Sequence, residues 1–292
     1  MIIKGVGGFY TLCTEDGERY TCKARGVFRN RGEVPLPGDR AEFSVDKKRQ
    51  GFITSLLPRK NVLLRPAVAN VDKLLIVVAA TEPEADLELV DKLLVYCVKL
   101  GVAPVIVINK CDNGSEDAAD VIMKQYEVVC RYGGAIVTVS AETGYGIESL
   151  KNIIGGDTVC LAGQSAVGKT SLINLLLGLS LETGGLSRKT ERGRHTTRHA
   201  ELLPDSSGGY IVDTPGFSML ESLPLEPEEL PNTYYEFNDY KGLCRFTGCM
   251  HISEPDCAVK AAVEKGEISS ERYLRYKKLA NEAIEARRHK YD

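Results

Sequence analysis
Apolar positions in the first 66 residues come in short alternating pieces at 9–12 (FYTL), 20–22 (YTC), 26–28 (GVF), 41–45 (AEFSV) and 51–54 (GFIT), divided by turns bearing Gly and Pro. Alternation with a period of two predicts half-buried strands. Five short strands with turn signals between them predict a small barrel, and the OB-fold is the obvious five-stranded candidate. From about Ala67 the pattern changes to apolar runs at 73–80, 104–108, 135–139, 157–162 and 210–212, interleaved with helix-period stretches at 85–100, 115–131 and 171–176. Strands alternating with helices predict a parallel sheet with ligand loops at the strand ends. Pro224, Pro227 and Pro231 among glutamates mark the exit from this region. Beyond it, 269–290 reads as one amphipathic helix with Tyr273, Tyr276, Leu279, Ala280, Ala283 and Ile284 on one face. The expected organisation is an all-β barrel over 1–66, an α/β domain over 67–222 and a mostly helical region over 223–292.

Three strand ends carry recognisable chemistry. The run 157–162 leads into Gly163-Gln164-Ser165-Ala166-Val167-Gly168-Lys169-Thr170, followed by Ser171 and a helix-period segment. Backbone N–H groups of such a loop face a polyphosphate, Lys169 reaches the β and γ phosphates, and the Thr170 hydroxyl is placed to ligate Mg²⁺. The run 104–108 ends in Asn109-Lys110-Cys111-Asp112. A carboxylate at Asp112 accepts from both N1 and the exocyclic amine of guanine, a pair of donors that adenine lacks. The run 135–139 ends in Ser140-Ala141-Glu142-Thr143-Gly144, similar to the other guanine-side loop of GTPases. Together these loops point to GTP. Their order is unusual, because the guanine box precedes the phosphate loop where ordinary GTPases have it follow: the domain reads as a circularly permuted P-loop GTPase.

Downstream, 210–212 leads into Asp213-Thr214-Pro215-Gly216, where the Asp is suited to hold a Mg²⁺-bound water and the Gly to present its N–H to the γ-phosphate. Between the phosphate loop and this motif, 184–198 is Gly-rich and basic without apolar periodicity, which predicts a switch loop that orders on the nucleotide. Within it Thr197, rather than Thr196, is the expected Mg²⁺ ligand. Phe217 follows Gly216 where many GTPases place a glutamine, and a phenyl ring orients no water. Turnover without a partner is therefore expected to be slow, with His195 the local residue suited to position the attacking water. The permutation also hangs everything after Gly216 on the second switch, so the C-terminal region is expected to move with the γ-phosphate.

Cys244, Cys249, His251 and Cys257 fall within fourteen residues, and three thiolates with one imidazole close a tetrahedral shell on one structural Zn²⁺. Arg272, Arg275, Lys277, Lys278, Arg287, Arg288 and Lys290 form the other face of the last helix, either solvated or turned to RNA. Residues 1–66 hold thirteen Lys and Arg against seven Asp and Glu, a net of +6 in a chain of net charge −3. Lys23, Arg25, Arg29 and Arg31, and Lys47, Lys48 and Arg49, cluster the charge where a polyanion would sit. With no apolar run long enough to span a bilayer and nine cysteines, six of them scattered outside the metal set, the chain is expected to be cytoplasmic; a monomer is also expected.

The basic barrel, the rotated nucleotide motifs and the C-x4-C-x-H-x5-C site, in that order, closely resemble the bacterial small-ribosomal-subunit-dependent GTPase A family (RsgA, YjeQ) over the whole chain. The resemblance implies GTP hydrolysis stimulated by the small ribosomal subunit, contact with its rRNA and a role late in that subunit's maturation. It implies zinc ligands at Cys244, Cys249, His251 and Cys257, and it adds weight to His195 through the match at 193–197 (GRHTT). Two other classes stay open on the residues alone: a GTPase with another RNA or protein partner, and an RNA-binding protein whose nucleotide site does not hydrolyse.

Overall fold
In the computed structural model the described residues are 1–26, 28, 32–46, 50–112, 116–178, 200–213 and 225–291. The first five strands, β1 (Ile2–Val6), β2 (Phe9–Cys13), β3 (Arg19–Ala24), β4 (Ala41–Val45) and β5 (Gly51–Leu56), run in the order β1-β2-β3-β5-β4. The parallel β3–β5 pair and the remaining antiparallel pairs form the expected OB-type barrel. Its two ends meet just before β4: Ile2 N donates to Asp39 O at 2.8 Å, and Gly38 N to Ile2 O at 2.8 Å. Asp39 is fully buried there and takes both arms of Arg59, at 2.7 Å each. Ile2, Leu12, Cys22, Phe28 and Ile53 fill the interior. The strand expected at 26–28 is a correction: Gly26 and Phe28 are helical, and the fifth strand is instead β1.

A two-stranded ribbon, β6 (Val62–Leu64) and β7 (Ala67–Ala69), leads to the α/β domain. Its parallel strands are β8 (Lys73–Ala79), β9 (Ala103–Asn109), β10 (Ala135–Thr138), β11 (Thr158–Ala162) and β13 (Tyr210–Asp213), in the order β10-β9-β8-β11-β13. Period-two alternation sends Leu74, Ile76 and Val78 of β8 to one face and Leu75, Val77 and Ala79 to the other. The first face packs under α1 (Leu87–Leu100) and α2 (Glu116–Tyr126), the second under α4 (Ile147–Ile154) and α5 (Lys169–Leu176). The helix expected over 115–131 breaks into α2 and a single turn, α3 (Val128–Arg131). Antiparallel β12 (Glu201–Pro204) sits between β13 and β1, so barrel and parallel sheet share one hydrogen-bonded sheet, with Lys4 opposite Glu201 and their side chains paired at 2.7 Å.

The C-terminal region consists of two 3-10 turns (Pro227–Thr233 and Tyr235–Tyr240), α6 (Ala258–Glu264) and the long α7 (Ser270–Tyr291). Tyr273, Tyr276, Leu279 and Ala280 of α7 are buried with Leu230, Tyr234 and Phe237, and Val95 of α1 joins the same core. Among the described residues, no helix is long and apolar enough to cross a membrane.

Candidate functional site
Because β10, β9, β8, β11 and β13 are parallel, the loops after them emerge along one edge of the sheet. The sequence direction reverses beside β8, whose neighbours are β9 and β11, which is where open α/β sheets form ligand crevices. That edge brings together the phosphate loop (after β11), the guanine box (after β9), Ser140 and Ala141 (after β10) and Asp213 (end of β13).

Asn109 ties two of these loops. Its Nδ2 donates to Val167 O at 2.7 Å, and its Oδ1 accepts from Ala141 N at 3.0 Å, with the residue 1 % exposed. Ser140 is fully buried, and its Oγ accepts from Thr143 N at 3.1 Å and Glu142 N at 3.3 Å, which shapes the second guanine-side loop. Lys169 Nζ donates to Gly163 O and Gln164 O, each at 2.6 Å, and burial lowers its pKa from the ordinary lysine value. The loop is thus folded around an ammonium whose acceptors are neutral carbonyls, an arrangement that an anion would improve. Ala166 takes φ +64° and Gly168 φ +96°, turning the backbone from β11 into α5. Ser165 and Thr170 are exposed, Ser171 and Asp112 half-buried. Lys110 Nζ donates to Glu82 O at 2.6 Å.

A Cβ on Gly168 would lie 2.3 Å from Asn109 Nδ2, on a backbone conformation that side chains rarely adopt. Gly168→Ala is therefore expected to break the Asn109–Val167 bond and to weaken guanine-nucleotide binding by about 10- to 100-fold, the equivalent of 1–3 kcal/mol of strain. Titration with a fluorescent GDP analogue checks this; affinity within a factor of about two of wild type would remove Asn109 from the site's architecture.

Three further residues expected at this site, His195, Thr197 and Gly216, lie outside the described residues, as do Thr196 and Phe217.

The second cluster is in the C-terminal region. Ligand atoms of Cys244, Cys249, His251 and Cys257 all lie within 4.8 Å of one another. Cys244 Sγ is 3.9 Å from Cys257 Sγ and 3.6 Å from His251 Nδ1, and His251 Nδ1 is 3.3 Å from Cys257 Sγ. Tetrahedral bonds of about 2.3 Å to sulfur and 2.0 Å to nitrogen place two sulfurs about 3.8 Å apart and sulfur and nitrogen about 3.5 Å apart. The donor set and its spacing fit one metal ion. Burial pushes the Cys249 thiol up to about 12 and lowers the His251 pKa, so a cation is what would hold thiolates at this place. The loop is braced from outside: Tyr273 OH donates to His251 O at 2.7 Å and Tyr276 OH to Met250 O at 2.5 Å. The Glu254 carboxylate accepts from the backbone N–H groups of Met250, Ile252 and Ser253 at 2.7 to 3.1 Å.

Two of the α7 cations are neither solvated nor turned outward, which corrects both readings of that face. Arg272 is 2 % exposed, paired with Glu236 and stacked over Tyr126 and Tyr234 at 4.7 and 5.3 Å. Arg275 Nε meets Asp91 Oδ2 at 2.6 Å, and Arg272 Nη1 lies 3.7 Å from Asp91 Oδ1. Lys278 and Arg287 pair with Glu88 and Glu228 at 2.5 Å. Sequence reading passed over Asp91 and Glu236. An aspartate at helical spacing with Leu87, Leu94, Val95 and Val98 on the apolar face of α1, at a position 1 % exposed, was the available signal.

Family comparison matches residues 1–53 to the RsgA N-terminal domain and residues 56–223 to the RsgA GTPase model. The small ribosomal subunit biogenesis GTPase RsgA of Caldanaerobacter subterraneus subsp. tengcongensis is 43 % identical over 291 residues, 99 % of this chain and 97 % of that protein. The crystal structure of YjeQ from Thermotoga maritima superposes with a TM-score of 0.84 at 39 % identity, covering 97 % of each chain. That of YloQ, a circularly permuted GTPase, gives 0.79 at 33 % identity, covering 98 % of this chain and 94 % of that one. Rotated motif order, barrel and Cys/His cluster accord with these matches, and the chain belongs to the RsgA GTPase family.

Proposed function
We propose that this chain is a cytoplasmic, monomeric, Mg²⁺-dependent GTP hydrolase that is switched on by the small ribosomal subunit late in that subunit's maturation. The observation that carries the nucleotide half of this reading is Asn109, which joins the phosphate loop to the guanine-side loop across a rotated chain order. Gly163 to Ser171 would cradle the phosphates, with Lys169 transferring its two hydrogen bonds from carbonyls to phosphate oxygens. Lys110, Asp112, Ser140 and Ala141 would hold guanine. Thr170, Asp213 and Thr197 would serve Mg²⁺, Gly216 the γ-phosphate, and His195 the attacking water, while one Zn²⁺ at Cys244, Cys249, His251 and Cys257 would be structural. The proposed division is barrel 1–66, GTPase domain 67–222 and zinc domain 223–292. The ribosomal half rests on the printed names of the relatives and on the barrel's charge: exposed Lys23 stands over exposed Phe9 at 4.9 Å, a cation beside a stacking surface.

GTP turnover by the metal-loaded protein, alone and with purified small subunits, tests the reading. Wild type should be slow alone and stimulated by subunits, and His195→Ala should lose about 10²-fold or more of the stimulated rate. Equal rates with and without subunits would sink the ribosomal half and leave the nucleotide half standing. RNA contact through the barrel predicts subunit affinity that falls linearly with salt on logarithmic axes, and Lys23→Ala should flatten that slope by about one unit if the lysine meets a phosphate. An unchanged slope would take Lys23 off the interface.

A further inference from the structure
The loop that leaves β8, residues 80–86, emerges between the guanine box and the phosphate loop because β8 lies between β9 and β11. Both motifs hold it. From the guanine side, Asn109 O accepts from Ala80 N at 2.8 Å, and Lys110 Nζ donates to Glu82 O. From the phosphate side, Gln164 uses both ends of its amide: Oε1 accepts from Asp86 N at 2.7 Å and Nε2 donates to Glu84 O at 2.8 Å. Asp86 is also the cap of α1, its Oδ1 accepting from Leu89 N at 2.9 Å. A glutamine at this point of a phosphate loop has its backbone for the anion, and here its side chain is spent on the start of a helix.

That helix is the one to which the C-terminal region is fastened. Within two turns of its cap, Glu88 pairs with Lys278 and Asp91 with Arg275 and Arg272. Lys92 pairs with Glu282 at 3.2 Å, and at its far end Lys99 pairs with Glu229 at 2.6 Å. Helices move as rigid bodies, and a largely buried pair such as Asp91–Arg275 does not slide by fractions of an ångström without losing its geometry.

We infer that Gln164 is a positioning residue that couples the phosphate loop to the C-terminal region through the start of α1, by a route that does not pass through the second switch. The inference rests on the proposed reading of the phosphate loop as a nucleotide site. Filling the loop fixes Gln164, Gln164 fixes residues 84–86, and the ordered helix start restrains α7 through its ion pairs. By linkage, loosening the clamp on α7 must then weaken nucleotide binding.

Hydrogen exchange on the full, metal-loaded chain with and without saturating Mg²⁺–GDP tests it. In wild type, GDP should slow amide exchange at 163–171, at 84–90 and, by about threefold or more, in α7. Gln164→Ala at saturating GDP should keep the slowing at 163–171 and lose it in α7; Gln164→Glu, which keeps the acceptor and loses the donor, should fall between. A role confined to local loop structure would leave α7 unaffected by the substitution, and slowing in α7 that persists in Gln164→Ala overturns the coupling. Absence of slowing at 163–171 in wild type would instead overturn the nucleotide reading, so the two failures are distinguishable. A second measurement uses GDP affinity: Gln164→Ala and Arg275→Ala should be non-additive, the double variant binding about as well as the weaker single one, whereas independent losses that multiply would overturn the proposal.

Discussion

Asp91→Ala is expected to destabilise the protein by about 3–5 kcal/mol, because it leaves the buried Arg272 and the half-buried Arg275 guanidinium groups with Glu236 as the one remaining carboxylate. Asp91 is 1 % exposed, takes Arg275 at 2.6 Å and faces Arg272, which is itself 2 % exposed. Glu236 pairs with Arg272 but lies on the C-terminal side, so Asp91 is the anion the GTPase side supplies to this cluster. Arg275 would keep two neutral partners, Gln125 Oε1 at 2.9 Å and the Tyr126 hydroxyl oxygen at 3.3 Å, and neither offsets a buried charge. The cost should appear as a lower urea midpoint, first in probes of the C-terminal region, since a chain of several units need not unfold in one step. Lys99→Ala is the matched control. It removes a pair between the same two parts whose side chains are 37 % and 46 % exposed, and charges that keep their water contribute little. Equal midpoints for the two variants would mean that the cluster does not fasten α7 to α1.

The contrast between that cluster and the nucleotide loops explains what a sequence discloses. A phosphate loop needs glycine where the backbone turns, lysine where the anion sits and a strand and helix on either side; all are local, and 157–176 displays them in order. The apolar runs at 73–80 and 104–108 are legible for the same reason, as both faces of β8 and β9 are covered. β1 was missed because Ile2 and Ile3 are both buried and Gly5 follows, which is not an alternation, while 26–28 offered two strand-forming residues in a segment whose described positions are helical. The fusion of barrel and parallel sheet through β1 and β12 joins residues nearly 200 positions apart, and neither strand's composition names its partner. The fate of Arg272 and Arg275 likewise depended on carboxylates elsewhere in the chain, at Asp91 and Glu236. The expectation that the C-terminal region hangs on the second switch turns on 214–224, outside the described residues; the structure adds an attachment at α1, which any switch-driven movement would have to break or carry along.

Loss of the metal is the other large effect expected, and it should unfold 241–257 while leaving the parallel sheet intact. Among the described residues this stretch holds no strand and no helix, only turns. Its backbone therefore has few partners of its own, and the Glu254 carboxylate with its three N–H donors organises one bend of it. Structural Zn²⁺ in small Cys/His sites contributes about 10–16 kcal/mol of binding free energy at neutral pH, which is folding free energy where the apo loop has no other core. The wild-type chain should carry one zinc, measured by elemental mass spectrometry. Cys257→Ser should carry about a tenth of that or less under competition with a moderate chelator, since a neutral hydroxyl replaces a thiolate. The damage should spread along a defined path. His251 and Met250 hold the hydroxyls of Tyr273 and Tyr276; the Tyr276 ring packs with Tyr234 and Phe237 at centroid separations of 4.9 and 4.7 Å, and Tyr273 stacks on Tyr276 at 6.2 Å. The chain has no tryptophan, so near-ultraviolet circular dichroism reads tyrosines directly, and chelation should flatten much of that signal while far-ultraviolet helix and sheet bands change little. The GTPase side should still bind GDP, because its core on the far face of the sheet, under α4 and α5, shares no residue with the tyrosine cluster. An apo protein with the tyrosine signal and chain stability of the metal-loaded form would mean that the aromatic core holds the loop by itself and that the four ligands are not its staple.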